Sequence, residues 1–266
     1  MDDANPKETR KNMRKGIFLL PNLFTTGALF CGFYAIIAAM AGRFEVAAIA
    51  IFLAGLLDGL DGRVARLTNT QSAFGAEYDS LSDMVSFGVA PALVVYLWSL
   101  VHLREVSAFM GKLGWLAAFI YATATALRLA RFNTQIGVAD KRYFQGLASP
   151  AAAAVVMGMV WVCEYYHIIG QDVTYAARVL TTAAGALMVS RFSYYSFKDL
   201  DLRERVPFVT LLGAVLVFVF LSIETATVLF SFFFAYMLSG PIVSLFRWNR
   251  KRTRKSDAVS DDEPEP

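Results

Sequence analysis

Eight runs of 17 to 25 mostly apolar residues follow one another along the 266-residue chain, at about 17–41, 44–64, 79–101, 113–132, 148–168, 174–192, 207–223 and 226–246. A helix rising 1.5 Å per residue needs roughly 20 apolar residues to cross a hydrocarbon core about 30 Å thick. Each run therefore has the length of a membrane span. Hydrophobic residues make up 56% of the chain and charged residues only 18%, and mean hydropathy is +0.48. Soluble domains hold about 45–50% apolar and 25% charged residues. The excess excludes a disordered chain and most soluble enzymes. It predicts an all-α, polytopic membrane protein with about eight transmembrane helices. The first run has the basic lead-in and Ala39-Met40-Ala41 ending of a signal peptide, but it is too long for one and is expected to be a retained span.

The basic residues orient the bundle. With a cytoplasmic N-terminus, inner segments receive Lys7 to Lys15, Arg63 and Arg66, Arg128, Arg131, Lys141 and Arg142, then Arg191, Lys198, Arg203 and Arg205, and finally Arg247 to Lys255. Only Arg43, Arg104, Lys112 and Arg178 of the 25 basic residues remain outside. That asymmetry is what the positive-inside rule predicts for an even number of spans with both termini in the cytoplasm. Cys31 and Cys163 lie in apolar runs and read as small hydrophobes. His102 and His167 fall near outer span ends, where an interfacial role is expected.

Four acids break the apolar pattern. The second run ends Asp58-Gly59-Leu60-Asp61-Gly62-Arg63-Val64-Ala65-Arg66, and the third opens Gly75-Ala76-Glu77-Tyr78-Asp79-Ser80-Leu81-Ser82-Asp83. Asp58 follows Glu45 by 13 residues, roughly 20 Å of helical rise. It should then lie well inside the span, where a lone aspartate costs about 2.5–3.5 kcal/mol near the centre and less toward an end. At 100° per residue, Asp58, Asp61, Gly62 and Ala65 share one sector with Arg66 at its edge, while Gly75, Asp79 and Asp83 stack at four-residue spacing. On two antiparallel neighbours joined by a short inner loop, all four carboxylates can converge. Such hard oxygen donors suit Mg²⁺ or Mn²⁺, as one ion or a pair, and the absence of soft ligands disfavours zinc. Gly59, Gly62, Ala65 and Gly75 leave room for a bulky group, or allow close helix packing. Arg66 is placed to grip a phosphate or to anchor the helix at the inner surface.

Asp58, Asp61-Gly62-x-x-Ala65-Arg66, Gly75, Asp79 and Asp83 together resemble the signature of the CDP-alcohol phosphotransferase family, with every position filled. The resemblance implies a six-helix catalytic core, here with two further C-terminal helices. It also implies transfer of a phosphoalcohol group from a CDP-linked donor to a hydroxyl, with release of CMP at a dinuclear divalent-metal site. Asp58, Asp61 and Asp79 would be metal ligands, and Asp83 a ligand that also serves as general base. Gly62, Ala65, Arg66 and Gly75 would border the CDP moiety. A homodimer is the implied assembly.

Further stretches are similar to bacterial membrane-embedded phosphatidylserine synthases: Pro21-Asn22-Leu23-Phe24-Thr25, Ser80 to Gly88, Leu127 to Asn133, and Phe144 to Ala153. Ala148 departs from the proline common there. This likeness implies CDP-diacylglycerol and L-serine as substrates. Arg131, with Asn133 beside it, is the candidate for the serine carboxylate, or else an anchor or phosphate contact. Asn22 and Thr25 either close the cleft over the nucleotide of CDP-diacylglycerol or hydrogen-bond between helices. The expected organisation is a polar cytoplasmic N-terminus at 1–15, a catalytic core at 16–200, two spans at 201–246 and a basic, then acidic, disordered tail at 247–266. The site and both termini would face the cytoplasm from the inner membrane, among membrane lipids and with no nucleic-acid partner. Glycerol 3-phosphate, inositol phosphate or choline as acceptor, and a cation transporter, stand as alternatives; acids crowded at one edge argue against the transporter.

Overall fold

The computed structural model describes residues 6–68, 70–134, 143–195 and 223–260. Helix α1 (Pro6–Met40) already includes most of the polar N-terminal stretch and turns back into α2 (Phe44–Thr68). The reversal is a Schellman motif. Gly42, at φ +73°, sits in the left-handed region, with Arg43 N–H bonded to Ala38 O at 2.9 Å and Gly42 N–H to Ala39 O at 3.0 Å. Small residues line the seam between these helices: Ala28, Cys31, Ala35 and Ala38 on α1, and Ala47, Ala48 and Ala54 with Ile51 on α2, all buried. Small side chains let the backbones approach closely, which is how helices gain contact where lipid is as apolar as the core.

The third span is one helical rod in three parts: α3 (Ala73–Asp83), a π turn (Met84–Val89) and α4 (Ala90–Trp98). Pro91 has no N–H for Phe87 O, and the Tyr121 hydroxyl donates to that oxygen at 2.9 Å. Ser82 Oγ and Ser86 Oγ reach across to Thr25 O and Ala28 O, at 3.1 and 3.0 Å. Gly32 makes the crossing possible, since a Cβ there would lie 2.7 Å from Ser86 Cα. After a short helix α5 (Leu103–Val106) come α6 (Ala108–Thr134), α7 (Ser149–Tyr165), α8 (Thr174–Val189) and α9 (Thr225–Ser260). At the end of α4, Trp98 Nε1 donates to Glu164 and Ser99 Oγ to Gly170 O, at 2.8 and 2.6 Å.

Helices 21–40, 73–98, 108–134 and 225–244 are long and apolar enough to cross a membrane. Helices α2, α7 and α8 occupy the other expected spans within the described residues. Two departures stand out. The first is a small addition to the all-α fold that the sequence predicts, an antiparallel ribbon, β1 (Tyr143–Gln145) with β2 (Ser193–Tyr195), which lets the backbones entering α7 and leaving α8 satisfy one another. Gly146 ends β1 at φ +83°, pressed so closely on Met188 O that no side chain fits. Second, α9 runs to Ser260, so the basic half of the tail is helical where composition predicts disorder; Arg and Lys are good helix formers. The span expected at 207–223 (but for its last residue), the division at residue 200, and Lys141, Arg142, Lys198, Arg203 and Arg205 lie outside the described residues, as do residues 261–266.

Candidate functional site

The acids sit where α2 ends and α3 begins. Ser72 caps α3 by accepting a hydrogen bond from Gly75 N–H at 3.0 Å, which fixes where the helix starts and hence where Asp79 and Asp83 face. One carboxylate oxygen from each of Asp58, Asp61 and Asp79 lies within 4.8 Å of the others. Asp83 packs within side-chain hydrogen-bonding reach of Asp58. Asp61 is 6% exposed and accepts from Thr25 Oγ1 at 2.7 Å. Asp79 Oδ1 is buried with no hydrogen-bond partner among the described residues. Among those residues the only ion pair closer than 4.0 Å is His102 with Glu105, far along the chain from this cluster. Clustered acids lacking a directly paired cation, one with an orphaned acceptor, could hold a divalent cation.

The space over the acids is open. A Cβ built on Gly59 or Gly62 would meet nothing within 4 Å. Gly75 is tighter, with Ser72 Oγ at 3.1 Å and Asn22 Oδ1 at 3.6 Å from such a Cβ, so Asn22 stands against the start of α3. Ala65 is half-buried, while Arg66 is exposed and donates through Nε to Gly62 O at 2.8 Å, folded back on its own helix. Thr25 turns to Asp61 rather than into the open space, which makes it a support for the acids. The remaining candidates divide. Arg131 donates to the Gln145 side chain beyond β1's start, and Asn133 Nδ2 donates to Ser80 Oγ at 3.1 Å, tying α6 to α3 one residue from Asp79.

One residue that sequence reading counted among the inner basic residues, and within the stretch Leu127 to Asn133, stands close by. Arg128 lies six residues before the end of α6, half-buried, with Nη1 donating to Ser149 Oγ at 2.7 Å. Its charge acts on Asp83, and Tyr121 and Tyr236 are its other near neighbours. The sequence carried no separate mark for it, because Arg131 follows within a turn of the same helix.

A profile of the CDP-alcohol phosphatidyltransferase family matches residues 18–190. The chain is 37% identical over 203 residues to a CDP-diacylglycerol–serine O-phosphatidyltransferase of Helicobacter pylori, covering 76% of this chain and 83% of that protein. Enzymes of the same name from Mycobacterium bovis and Methanocaldococcus jannaschii are each 39% identical. The first match spans 155 residues, 55% of this chain and 51% of the relative; the second spans 149 residues, 56% and 63%.

Proposed function

The chain belongs to the CDP-alcohol phosphatidyltransferase family, and on that premise we propose that it moves the phosphatidyl group of CDP-diacylglycerol to the hydroxyl of L-serine, giving phosphatidylserine and CMP. The observation that carries this reading is the convergence of Asp58, Asp61 and Asp79 within 4.8 Å beneath an unobstructed backbone. Asp58, Asp61, Asp79 and Asp83 would hold one or two Mg²⁺ or Mn²⁺ ions, whose charge would neutralise the diphosphate and ease departure of CMP. The bare backbone at Gly59 and Gly62 admits the cytidine diphosphate, with Asn22, Ala65, Arg66 and Gly75 around it. Thr25 keeps Asp61 turned toward the site. Asp83 accepts the proton of the serine hydroxyl as its oxygen bonds to the β-phosphorus and the bond to the CMP oxygen breaks.

The support for serine is the name shared by the relatives, from two bacteria and an archaeon. Membership of the bundle in the inner membrane, with both termini and the acids on the cytoplasmic side, rests on the distribution of basic residues. Assembly as a homodimer follows the family. The test is CMP release by the purified, lipid-reconstituted protein with CDP-diacylglycerol and each of L-serine, glycerol 3-phosphate, inositol phosphate and choline. Release that depends on serine is the expected result. Release with another alcohol and none with serine would overturn the acceptor assignment.

A further inference from the structure

Arg128 of α6 and Asp83 of α3 do not form an ion pair. They interact electrostatically, yet no nitrogen of Arg128 comes within 4.0 Å of a carboxylate oxygen of Asp83. A half-buried cation and a half-buried acid free to close on one another gain by doing so. Here Ser149, at the first turn of α7, holds the guanidinium back through its hydroxyl at 2.7 Å. Ser149 is itself fully buried and set by Pro150 and the Gly146 turn before it, so the restraint is built into the fold. An arginine carries five N–H donors in a planar fork, of which Ser149 uses one. Asp83, Tyr236 and Tyr121 are the groups whose charge acts on Arg128.

We propose that Arg128, oriented by Ser149, is the seat of the acceptor's carboxylate and so sets the choice of an α-amino acid alcohol over one without a carboxylate. The assignment rests on the reading of serine as acceptor. In serine only Cβ and Cα separate the hydroxyl oxygen from the carboxylate carbon, so a molecule gripped at Arg128 by its carboxylate presents its hydroxyl toward Asp83. Arg131, the other candidate, is engaged by Gln145 and lies nearly a turn closer to the end of α6. A bidentate guanidinium–carboxylate pair in a desolvated cleft gives planar recognition that a lysine does not reproduce.

The test compares L-serine with L-serinamide, which keeps the hydroxyl and the amine and lacks the carboxylate, in the CMP-release assay. Arg128→Gln is expected to lower the preference for serine over serinamide by about 10- to 100-fold, mostly through the KM for serine. Arg128→Lys should recover only part of it. Ser149→Ala, which keeps the charge and loosens its aim, should raise the serine KM several-fold. Mn²⁺ binding and thermal unfolding of each variant report whether it is folded. Equal loss with both acceptors, or a rise confined to the KM for CDP-diacylglycerol, would overturn the assignment. So would loss of serine preference in Arg131→Ala with Arg128→Gln unaffected. A wild type that releases no CMP with serine would bring down the parent reading and this inference together, whereas serine-dependent release with unaltered preference in the Arg128 and Ser149 variants would bring down the inference alone.

Discussion

Replacing Asp79 by asparagine should stabilise the protein without metal and destabilise it with metal. The side chain is nearly isosteric, so packing is held constant. Asp79 faces two other carboxylates, Asp58 and Asp61, with oxygens within 4.8 Å. Two unit charges at that distance repel by about 3.5 kcal/mol at an effective dielectric of about 20. Water entering the open cleft over Gly59 and Gly62 reduces this, leaving on the order of 1–2 kcal/mol per residue charge removed. The amide also supplies donors to the remaining acids. In chelator, Asp79→Asn should therefore unfold about 2–6 °C above the wild type. In millimolar Mg²⁺ or Mn²⁺ the order should reverse, because the wild type gains the binding free energy of the ion and the variant loses a ligand. The measurement is a thermal unfolding scan in one detergent, with and without metal. Identical ordering in both conditions would refute the view that these acids are kept together for a cation.

Asp83→Asn should leave a folded protein that binds Mn²⁺ yet turns over CDP-diacylglycerol and serine about 10²–10⁴-fold more slowly, measured by CMP release. Thr25→Val removes the donor to Asp61 Oδ2 and should weaken Mn²⁺ binding about 10- to 100-fold, read by titration of the metal-free protein. Gly62→Leu projects into open space and should fold normally while raising the KM for CDP-diacylglycerol. Gly32→Val, by contrast, drives a branched side chain into Ser86 and should abolish a stable fold, read as loss of a cooperative unfolding transition.

The spans were legible because length and composition alone decide what crosses a bilayer, and the acids because the other charges of the second and third runs, Glu45 and Arg63, sit at a run's ends. The boundaries within the third span were not. Its π turn follows Asp83 directly, and the shift from four-residue to five-residue bonding leaves no periodic mark in a segment as short as Met84–Val89. The ribbon escaped for a like reason, three residues a side with no alternation to read, although Gly146 marked the place where a backbone had to pass close. Arg128 and Arg131 stand three residues apart in an otherwise apolar helix, so spacing cannot tell them apart. What separates them is tertiary: one meets Ser149 from α7, the other Gln145 from β1.

Thr25 shows how the separate pieces become one site. Its hydroxyl donates to Asp61 of α2, and its carbonyl accepts from Ser82 of α3, one residue before Asp83. A single position on α1 thus sets the depth of both acid-bearing helices, and Ser86 on Ala28 O repeats the tie one turn further along. Without that clamp, two helices joined by a four-residue link would be free to slide by a fraction of a turn, and carboxylates in mutual repulsion would take the chance to part. The same hydroxyl lies 3.1 Å from Pro21 O, so its one hydrogen is shared between the carboxylate and its own helix. Thr25 of α1 is therefore spent on holding the acids together, which leaves Asn22, three residues earlier, and the open faces of α2, α3 and α6 for recognition of the substrates.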